Sequence, residues 1–270
     1  MKSKVSLLLW GSGFVLLNLY ASLLPKLFPQ NNLLLWFAYW AGFFILAFVL
    51  GRYVLRLQGL QSFGMNLHRH WVRNLAVGFI LGFGIWALKN LVFYAMGKFE
   101  LTGMMEAGYI YPLLAQALLG MFFAAAINDL LIRGYWFAFC RKEHQMKWYL
   151  LLATVLYALD DSWNEGFDVM NLAFSAVLGI SLAYTVLKTG SIWMAIGIHW
   201  GGNMMYRLIA GFDGQGIWKL EHVTEGVQYE YVSLLVTALL FPVVYLLLKD
   251  KQGEGAQKYM KDKPFPQQTA

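Results

Sequence analysis

Two apolar stretches of the chain carry a few polar side chains whose types could do chemistry. The first stretch contains Asn128, Asp129 and Arg133, and the second contains His199 and Asn203. An ionised side chain near the centre of a bilayer costs roughly 2.5–3.5 kcal/mol on insertion scales, so a membrane chain tends to keep one only where it faces the protein interior and has a function. Carboxylate, imidazole and amide groups together can transfer protons and orient a polarised carbonyl. These residues are therefore the first candidates for a functional site.

The polar residues recur in pairs separated by about one helical turn. Asp129 and Arg133 form the first pair and can neutralise each other, with Asn128 roughly 100° further round the helix. Two further pairs have the same spacing: His199 with Asn203, and Tyr157 with Asp161. Each pair alone is explained by an ion pair or by interhelical hydrogen bonds of about 0.6–2 kcal/mol. The presence of such pairs on three predicted helices favours a shared polar cavity.

The composition is that of a polytopic membrane protein. Of 270 residues, 59% are hydrophobic and only 13% are charged, and the mean hydropathy is +0.51. The net charge of +6 is explained by basic loops, and no basic patch interleaved with aromatic residues outside them indicates a nucleic-acid partner. The single cysteine, Cys140, excludes an internal disulfide and a thiolate metal site. The expected surroundings are the lipid bilayer and a membrane-associated protein or peptide.

Hydropathy and loop signals predict an all-α bundle of about eight transmembrane helices, forming a single domain over residues 1–250. The predicted spans are 5–24, 32–55, 74–97, 111–140, 147–164, 169–187, 191–210 and 229–248. Between the second and third spans, a short amphipathic stretch with Phe63, Leu67 and Trp71 is predicted to form a helix in the membrane interface. The polar segment 251–270 is predicted to be a disordered cytoplasmic tail.

The distribution of basic residues predicts the orientation in the membrane. Lysines and arginines fall mostly on one side of the predicted spans, with Lys26 and Lys98 as the main exceptions. The positive-inside rule then places both termini in the cytoplasm, and the expected location is the bacterial cytoplasmic membrane. Asp160 and Asp161 lie near the predicted outer end of the fifth span, where solvation by water is a strong alternative to a functional role.

At these residues the sequence resembles the CAAX-protease and bacteriocin-processing family (CPBP, or Abi) of intramembrane endopeptidases. The segment "AINDLLIRGYWFA" resembles the first family motif, EExxxR, which is commonly followed by Gly, as at Gly134. The segment "SIWMAIGIHWGGN" resembles the third motif, HxxxN, with His199 and Asn203 as the pair. Between them, "VLYALDDSWN" occupies the place of the second motif, FxxxH, with Tyr157 for the aromatic residue and Asp161 for the histidine.

The resemblance covers about residues 111–210 and implies hydrolysis of a peptide bond within a membrane. In the family, the leading Glu of the first motif is taken to activate water and the His of the second motif to assist, whereas this chain has Asn128 and Asp161 there. A neutral amide has no titratable group and cannot be a general base, although it can orient an oxyanion. Asp129 keeps the second acidic position, but its pairing with Arg133 makes it a poorer base.

The first functional hypothesis is an intramembrane endopeptidase that cuts a membrane-associated peptide, a prenyl-type substrate or a leader peptide. In it, Asp161 or Asp129 activates water and His199 acts as acid or as an orienting group. Asn128 and Asn203 stabilise the oxyanion. This hypothesis redistributes the acid and base roles of the family over the same cavity.

The second hypothesis is a catalytically inactive relative that serves as a membrane scaffold, a regulator or a bacteriocin-immunity factor. Such a protein needs the cavity and the helix surfaces but no titrating water. A third choice, a small transporter, would use buried charges such as Lys89, but inverted repeats and matching broken helices are not evident in the sequence. Whether the chain is an enzyme stays open at this point.

No cofactor is expected from the sequence, and a divalent metal stays an open alternative. Asp129, Asp161 and His199 are weak candidate ligands, since they offer oxygen and nitrogen donors from three predicted helices. Catalytic zinc normally has three firm protein ligands, and a single histidine with carboxylates suits a hard or weakly held ion better. The sequence therefore makes metal catalysis the less favoured mechanism.

Overall fold

The described residues form the helical bundle that the sequence predicts. The computed structural model describes residues 2–28 and 32–250, so the predicted tail at 251–270 lies outside the described residues. The helices are α1 (Lys2–Leu23), α2 (Leu33–Val49), α3 (Trp71–Ala95), α4 (Ala107–Asp129), α5 (Tyr135–Lys142), α6 (Tyr149–Glu165), α7 (Val169–Thr189), α8 (Trp193–Ala210), α9 (Val227–Ala238) and α10 (Leu240–Leu248). The helix α4 continues through a short turn into α5, and a single residue separates α9 from α10, so the ten described segments form eight continuous helical units. This confirms the predicted all-α polytopic bundle.

Six helical segments of the described chain are long and apolar enough to cross a membrane. They are Ser6–Leu27, Leu33–Val54, Trp71–Ala95, Ala107–Lys142, Val169–Thr189 and Val227–Leu248. The fifth and seventh predicted spans also form helices, α6 and α8, but they do not meet the same test of length and hydropathy. The helix α6 has 17 residues and carries Asp160 and Asp161, and the 18 residues of α8 include His199, Asn203 and Arg207. The orientation of the termini stays a prediction.

The helix α8 is packed unusually close to α3. At Gly78 and Gly82 of α3, and at Gly197 and Gly201 of α8, an added Cβ would lie 1.9–2.4 Å from a backbone oxygen of the other helix. Real Cβ atoms do not approach backbone that closely, so only glycine permits this contact at the four positions. Small residues at helix interfaces let backbones pack together in membranes, where lipid supplies no hydrophobic driving force between helices. The contact fixes α8, and with it His199, inside the bundle.

The segment between α2 and α3 differs from the predicted interfacial helix. It contains a short 3-10 turn at Gly59–Phe63, which ends at Gly64 with a φ of +84°. Phe63 is fully buried, and its carbonyl oxygen would lie 2.2 Å from a Cβ at Gly134. Since Gly64 takes a left-handed conformation, the helix cannot continue, and Phe63 turns into the core instead of the interface.

A two-stranded antiparallel sheet joins two loops that the hydropathy pattern leaves without structure. Strand β1 (Glu100–Met104) follows α3, and strand β2 (Trp218–Glu221) follows α8. Leu101 pairs with Leu220, and a bulge separates Leu101 from Gly103 in the register. The sheet therefore connects the ends of the two helices that pack most closely, on the side opposite the start of α3.

Candidate active site

The first polar segment lies where α4 widens into a π-helical turn at Leu130–Gly134. A π turn brings residues five apart into register, and such turns occur frequently at functional sites. Here the Nη1 group of Arg133 donates to the Oδ1 atom of Asn128 at 2.7 Å and lies 3.0 Å from the Oδ1 atom of Asp129. A regular helix would have turned Asn128 away from the face that Asp129 and Arg133 share. The π turn is the reason that Arg133 contacts both neighbours.

Asp129 connects Arg133 on one side with His199 on the other. Its Oδ2 atom lies 3.2 Å from Nδ1 of His199, and the carboxylate and the guanidinium are both 0% exposed. A carboxylate that accepts a hydrogen bond from Nδ1–H fixes the orientation of the imidazole and leaves Nε2 open for proton exchange. The His199 side chain is 11% exposed, and its Nε2 atom has no hydrogen-bond partner among residues 2–28 and 32–250. The ring is therefore held at one nitrogen and available at the other.

Tyr157 of α6 lies between the guanidinium and the imidazole. The Cζ atom of Arg133 is 3.9 Å from the centroid of the Tyr157 ring, and the ring meets His199 edge-on at a centroid distance of 6.1 Å. A guanidinium stacked on an aromatic face gains a cation–π interaction that strengthens when water is excluded. Two N–H groups of Arg133, on Nε and Nη2, are buried without a hydrogen-bond partner in the described part of the chain. Such groups cost about 1–3 kcal/mol each if nothing binds them.

A second arm of the network runs from Asn128 to α6 and α1. The Nδ2 group of Asn128 donates to Oδ2 of Asp160 at 3.3 Å, and Nδ2 of Asn18 donates to Oδ1 of the same carboxylate at 2.9 Å. The hydroxyl of Tyr135 donates to the Trp10 carbonyl at 2.7 Å, which holds α1 beside the residue that follows the π turn. The polar network thus joins four helices: α1, α4, α6 and α8.

Asp160 also lines a groove of about 210 Å³ between α1 and α6. Asn18 and Asp160 are its polar lining residues, and both are half-buried. The remaining walls are apolar: Phe14, Val15, Leu19, Leu156, Leu159 and Trp163. The groove is open to the outside of the bundle. Of the two carboxylates in the polar network, Asp160 therefore lines this groove, and Asp129 is fully buried.

The structure brings four of the predicted site residues together: Asn128, Asp129, Arg133 and His199. It does not bring Asp161 to them. The Asp161 carboxylate accepts a hydrogen bond from the Ser175 hydroxyl of α7, and within the described residues it forms no hydrogen bond or ion pair with Asp129 or His199. The hypothesis that Asp161 is the substitute base beside His199 therefore has no contact to support it.

Asn203 follows His199 by one turn on α8, as predicted. Its side chain is half-buried, and in the chain as described it has no side-chain hydrogen bond with the other site residues. The amide therefore stays available for a ligand.

The sequence interpretation did not include Asp160 and Asn18 in the site. Neighbouring residues on a helix point about 100° apart, so only one of Asp160 and Asp161 can face α4, and the sequence does not say which. A signal for Asn18 was present, since it is the single amide side chain within the predicted span 5–24. The sequence does not show the role of Asn18, because its hydrogen-bond partner Asp160 is far away in the chain.

The donor atoms are not gathered as a metal site would need. Among the residues that the structure describes, no group of three or more His, Cys, Asp or Glu side chains could hold a metal ion. Of the weak candidates, Asp129 and His199 are in contact, whereas Asp161 faces Ser175. The Asp129 oxygens already face Arg133 and His199, so these residues do not fit a catalytic metal with three firm ligands.

Comparison with known families agrees with the motifs. Residues 110–205 match the family described as Rce1-like, Type II CAAX prenyl endopeptidase Rce1-like. No curated protein and no solved structure matches the chain. The matched segment contains every member of the polar network except Asn18, and it nearly coincides with the core that the motifs predict, about 111–210. Residues 110–205, about a third of the chain, are therefore similar to that family, and the described helices include six that are long and apolar enough to cross a membrane.

Proposed function

We propose that this protein hydrolyses a peptide bond of a membrane-associated protein or peptide. The observation that supports the proposal is the contact of the buried Asp129 carboxylate with Nδ1 of His199, at 3.2 Å, which leaves Nε2 open. A carboxylate in this position holds the imidazole in one orientation and stabilises the imidazolium form. His199 can then donate a proton from Nε2 to the leaving nitrogen of a peptide bond.

The site also offers a donor for the negative charge that develops on the carbonyl oxygen. The half-buried amide of Asn203 is the candidate. Preorganised donors in a site that excludes water stabilise such charge far better than the same groups in bulk solvent. Asn128 acts indirectly, since its amide is already hydrogen-bonded to both Arg133 and Asp160.

The reaction needs a base as well as an acid. A water oxygen must bond to the carbonyl carbon and lose a proton, and the C–N bond then breaks as the nitrogen gains one. Asp129 is poorly suited to accept that proton, since it is 0% exposed and enclosed between Arg133 and His199. Asn128 has no titratable group. We therefore assign the acid to His199 and look for the base among the other carboxylates of the network.

The substrate that fits is a peptide presented from the membrane. The matched family is described as a CAAX prenyl endopeptidase, so a prenyl-type peptide is the first substrate to test and a leader peptide the second. The polar network lies on helices of the bundle, which favours a membrane-associated protein or peptide over a soluble substrate or a nucleic acid. We place the protein in the bacterial cytoplasmic membrane with both termini in the cytoplasm.

The test is cleavage by the purified full-length protein reconstituted in lipid vesicles. The probes are a farnesylated peptide with a CAAX carboxyl terminus and an unprenylated leader peptide, with products identified by mass spectrometry. His199→Gln and Asp129→Asn should each lower kcat by about 10²–10⁴, the usual contribution of general acid–base catalysis. Asp213→Asn changes a fully exposed loop carboxylate and should leave the rate unchanged. Undiminished cleavage by His199→Gln would contradict the proposal.

A second candidate function is that of a non-catalytic membrane protein that binds a peptide. It is favoured by the amide at position 128 and by the full burial of the Asp129–Arg133 pair. Such a protein would bind the same peptides without cleaving them. Full complementation of a deletion strain by stable His199→Gln protein would support this function over hydrolysis.

A further inference from the structure

Asp160 is the second carboxylate of the polar network, and it lies beside the residue that replaces the leading acid of the first motif. Its Oδ2 atom accepts a hydrogen bond from Asn128 at 3.3 Å, and its Oδ1 atom accepts one from Asn18 at 2.9 Å. The Asp160 carboxylate is thus one hydrogen bond away from the side chain at position 128. The structure thus has a carboxylate from α6 in contact with the α4 position at which the motif has its leading acid.

Asn128 connects this carboxylate to the buried cation. Its Oδ1 atom accepts from Arg133 at 2.7 Å while its Nδ2 group donates to Asp160. Both ends of the amide are therefore fixed, so Asn128 holds Asp160 in a defined position relative to Arg133 and Asp129. The network keeps two carboxylates around one guanidinium although α4 itself supplies only one of them.

Access distinguishes the two carboxylates. Asp129 is 0% exposed, whereas Asp160 is half-buried and lines the open groove between α1 and α6. A general base must lie within hydrogen-bond reach of the water that it activates. The groove reaches Asp160, whereas Asp129 is enclosed between Arg133 and His199.

We propose that Asp160 is the catalytic base of the hydrolysis, with Asn128 and Asn18 as its positioning residues; this inference rests on the function proposed above. The Asp160 carboxylate takes one proton from water as the water oxygen bonds to the carbonyl carbon. The C–N bond then breaks, and the nitrogen takes a proton from Nε2 of His199. Asp160 returns its proton to the imidazole through solvent, so that one water is consumed and both groups regain their starting forms.

The direct test compares two adjacent aspartates in the vesicle assay with the farnesylated and leader peptides. Asp160→Asn keeps the shape of the side chain but removes the base, so kcat should fall by about 10²–10⁴ with little change in KM. Asp161→Asn alters the carboxylate that faces Ser175 of α7, and kcat should stay within a few fold of the unsubstituted protein. The reverse result, with loss of turnover only in Asp161→Asn, would overturn the inference.

A rescue experiment separates catalysis from structural support. Adding Asn128→Glu to Asp160→Asn moves the carboxylate from α6 back to α4, and kcat should rise at least about tenfold over Asp160→Asn alone. Adding Asn128→Gln instead supplies a side chain of the same length without charge, and it should give no rescue. Thermal unfolding in detergent checks that each variant is folded. Equal rates with Glu and Gln would show that Asp160 only supports the structure and would overturn the inference.

The outcomes for the inference and for the proposed function are distinct. If the unsubstituted protein cleaves a peptide and Asp160→Asn cleaves it equally fast, the inference is wrong and the function stands. If the unsubstituted protein cleaves neither peptide, both are wrong. Should Asp160→Asn not fold, Asp160→Glu keeps the charge and moves it by one methylene, and kcat should fall at least about tenfold. An unchanged kcat in Asp160→Glu would then contradict the inference.

Discussion

The close contact between α3 and α8 predicts a large effect for a single added methyl group at Gly82. A Cβ there would lie 1.9 Å from the carbonyl oxygen of Ile198 and 2.8 Å from its Cα. Both are backbone atoms of α8, so a change of rotamer cannot relieve the overlap. Since a carbon and a carbonyl oxygen in close contact lie about 3.3 Å apart, Gly82→Ala must separate the helices locally by about 1.4 Å.

The displacement acts directly on the candidate site, because Ile198 is the neighbour of His199 in the chain. A shift of about 1 Å is enough to break the 3.2 Å contact between His199 and Asp129 and can cost about 10²-fold in rate. Overpacking of a well-filled interior costs about 1–3 kcal/mol in the free energy of unfolding. Gly82→Ala should therefore lower both the stability and the rate of cleavage.

The matched control is Gly84→Ala, two residues further along the same helix. No atom lies within 4 Å of a Cβ at Gly84, so alanine there only improves helix propensity, by up to about 1 kcal/mol. Thermal unfolding of both variants in the same detergent should show Gly82→Ala lower than Gly84→Ala by about 2–16 °C, using about 2–4 °C per kcal/mol for a chain of this size. Equal unfolding temperatures for the two variants would refute the packing argument.

Three further substitutions test the elements that position the site. Arg133→Met leaves the buried Asp129 carboxylate without its cation and should lower the free energy of unfolding by about 3–5 kcal/mol, measured by thermal unfolding. An unchanged unfolding temperature would contradict a stabilising role of the ion pair. Gly134→Ala puts a Cβ 2.2 Å from a backbone oxygen of the preceding 3-10 turn and should cost about 1–3 kcal/mol, whereas Gly120→Ala, which meets open space, should not destabilise the fold. Asp168→Ala removes the N-cap of α7 and should cost about 1 kcal/mol, while Asp168→Asn should retain most of that stability.

Hydropathy predicts the transmembrane helices well, because a helix in lipid must form its backbone hydrogen bonds within itself. The predicted span 169–187, for example, corresponds to the helix Val169–Thr189. The β1–β2 pair could not be predicted from the sequence, since its strands are more than a hundred residues apart in the chain and each is only a few residues long. Short strands without a buried face leave no periodic signal.

The π turn at Leu130–Gly134 could not be predicted for a different reason. Its sequence is that of an ordinary apolar helix, and the widening is accompanied by tertiary contacts, among them the Phe63 carbonyl against Gly134. The motif spacing correctly indicated that Asp129 and Arg133 share a face. It did not indicate that Asn128 joins them, because that contact needs a five-residue spacing that a regular helix does not provide.

The choice between Asp160 and Asp161 depends on how α6 is rotated against its neighbours. At Gly179 of α7, an added Cβ would lie 3.0 Å from the Tyr157 ring and 3.5 Å from the Cα of Thr154, so α6 and α7 approach closely on that face. This packing directs Asp161 to Ser175 of α7 and leaves Asp160 facing α4 and α1. Sequence spacing gives the angle between two neighbours on a helix, but only packing gives the direction in which the pair points.

The cost of the buried network is itself an argument that it has a function. A buried ion pair is often no more stabilising than apolar side chains of the same volume, so packing alone does not require Asp129 and Arg133. The two unpartnered N–H groups of Arg133 add a further cost that a purely structural pair would avoid. Asp129 also holds Nδ1 of His199 at 3.2 Å, so positioning the imidazole is a role for the buried pair that packing alone does not supply.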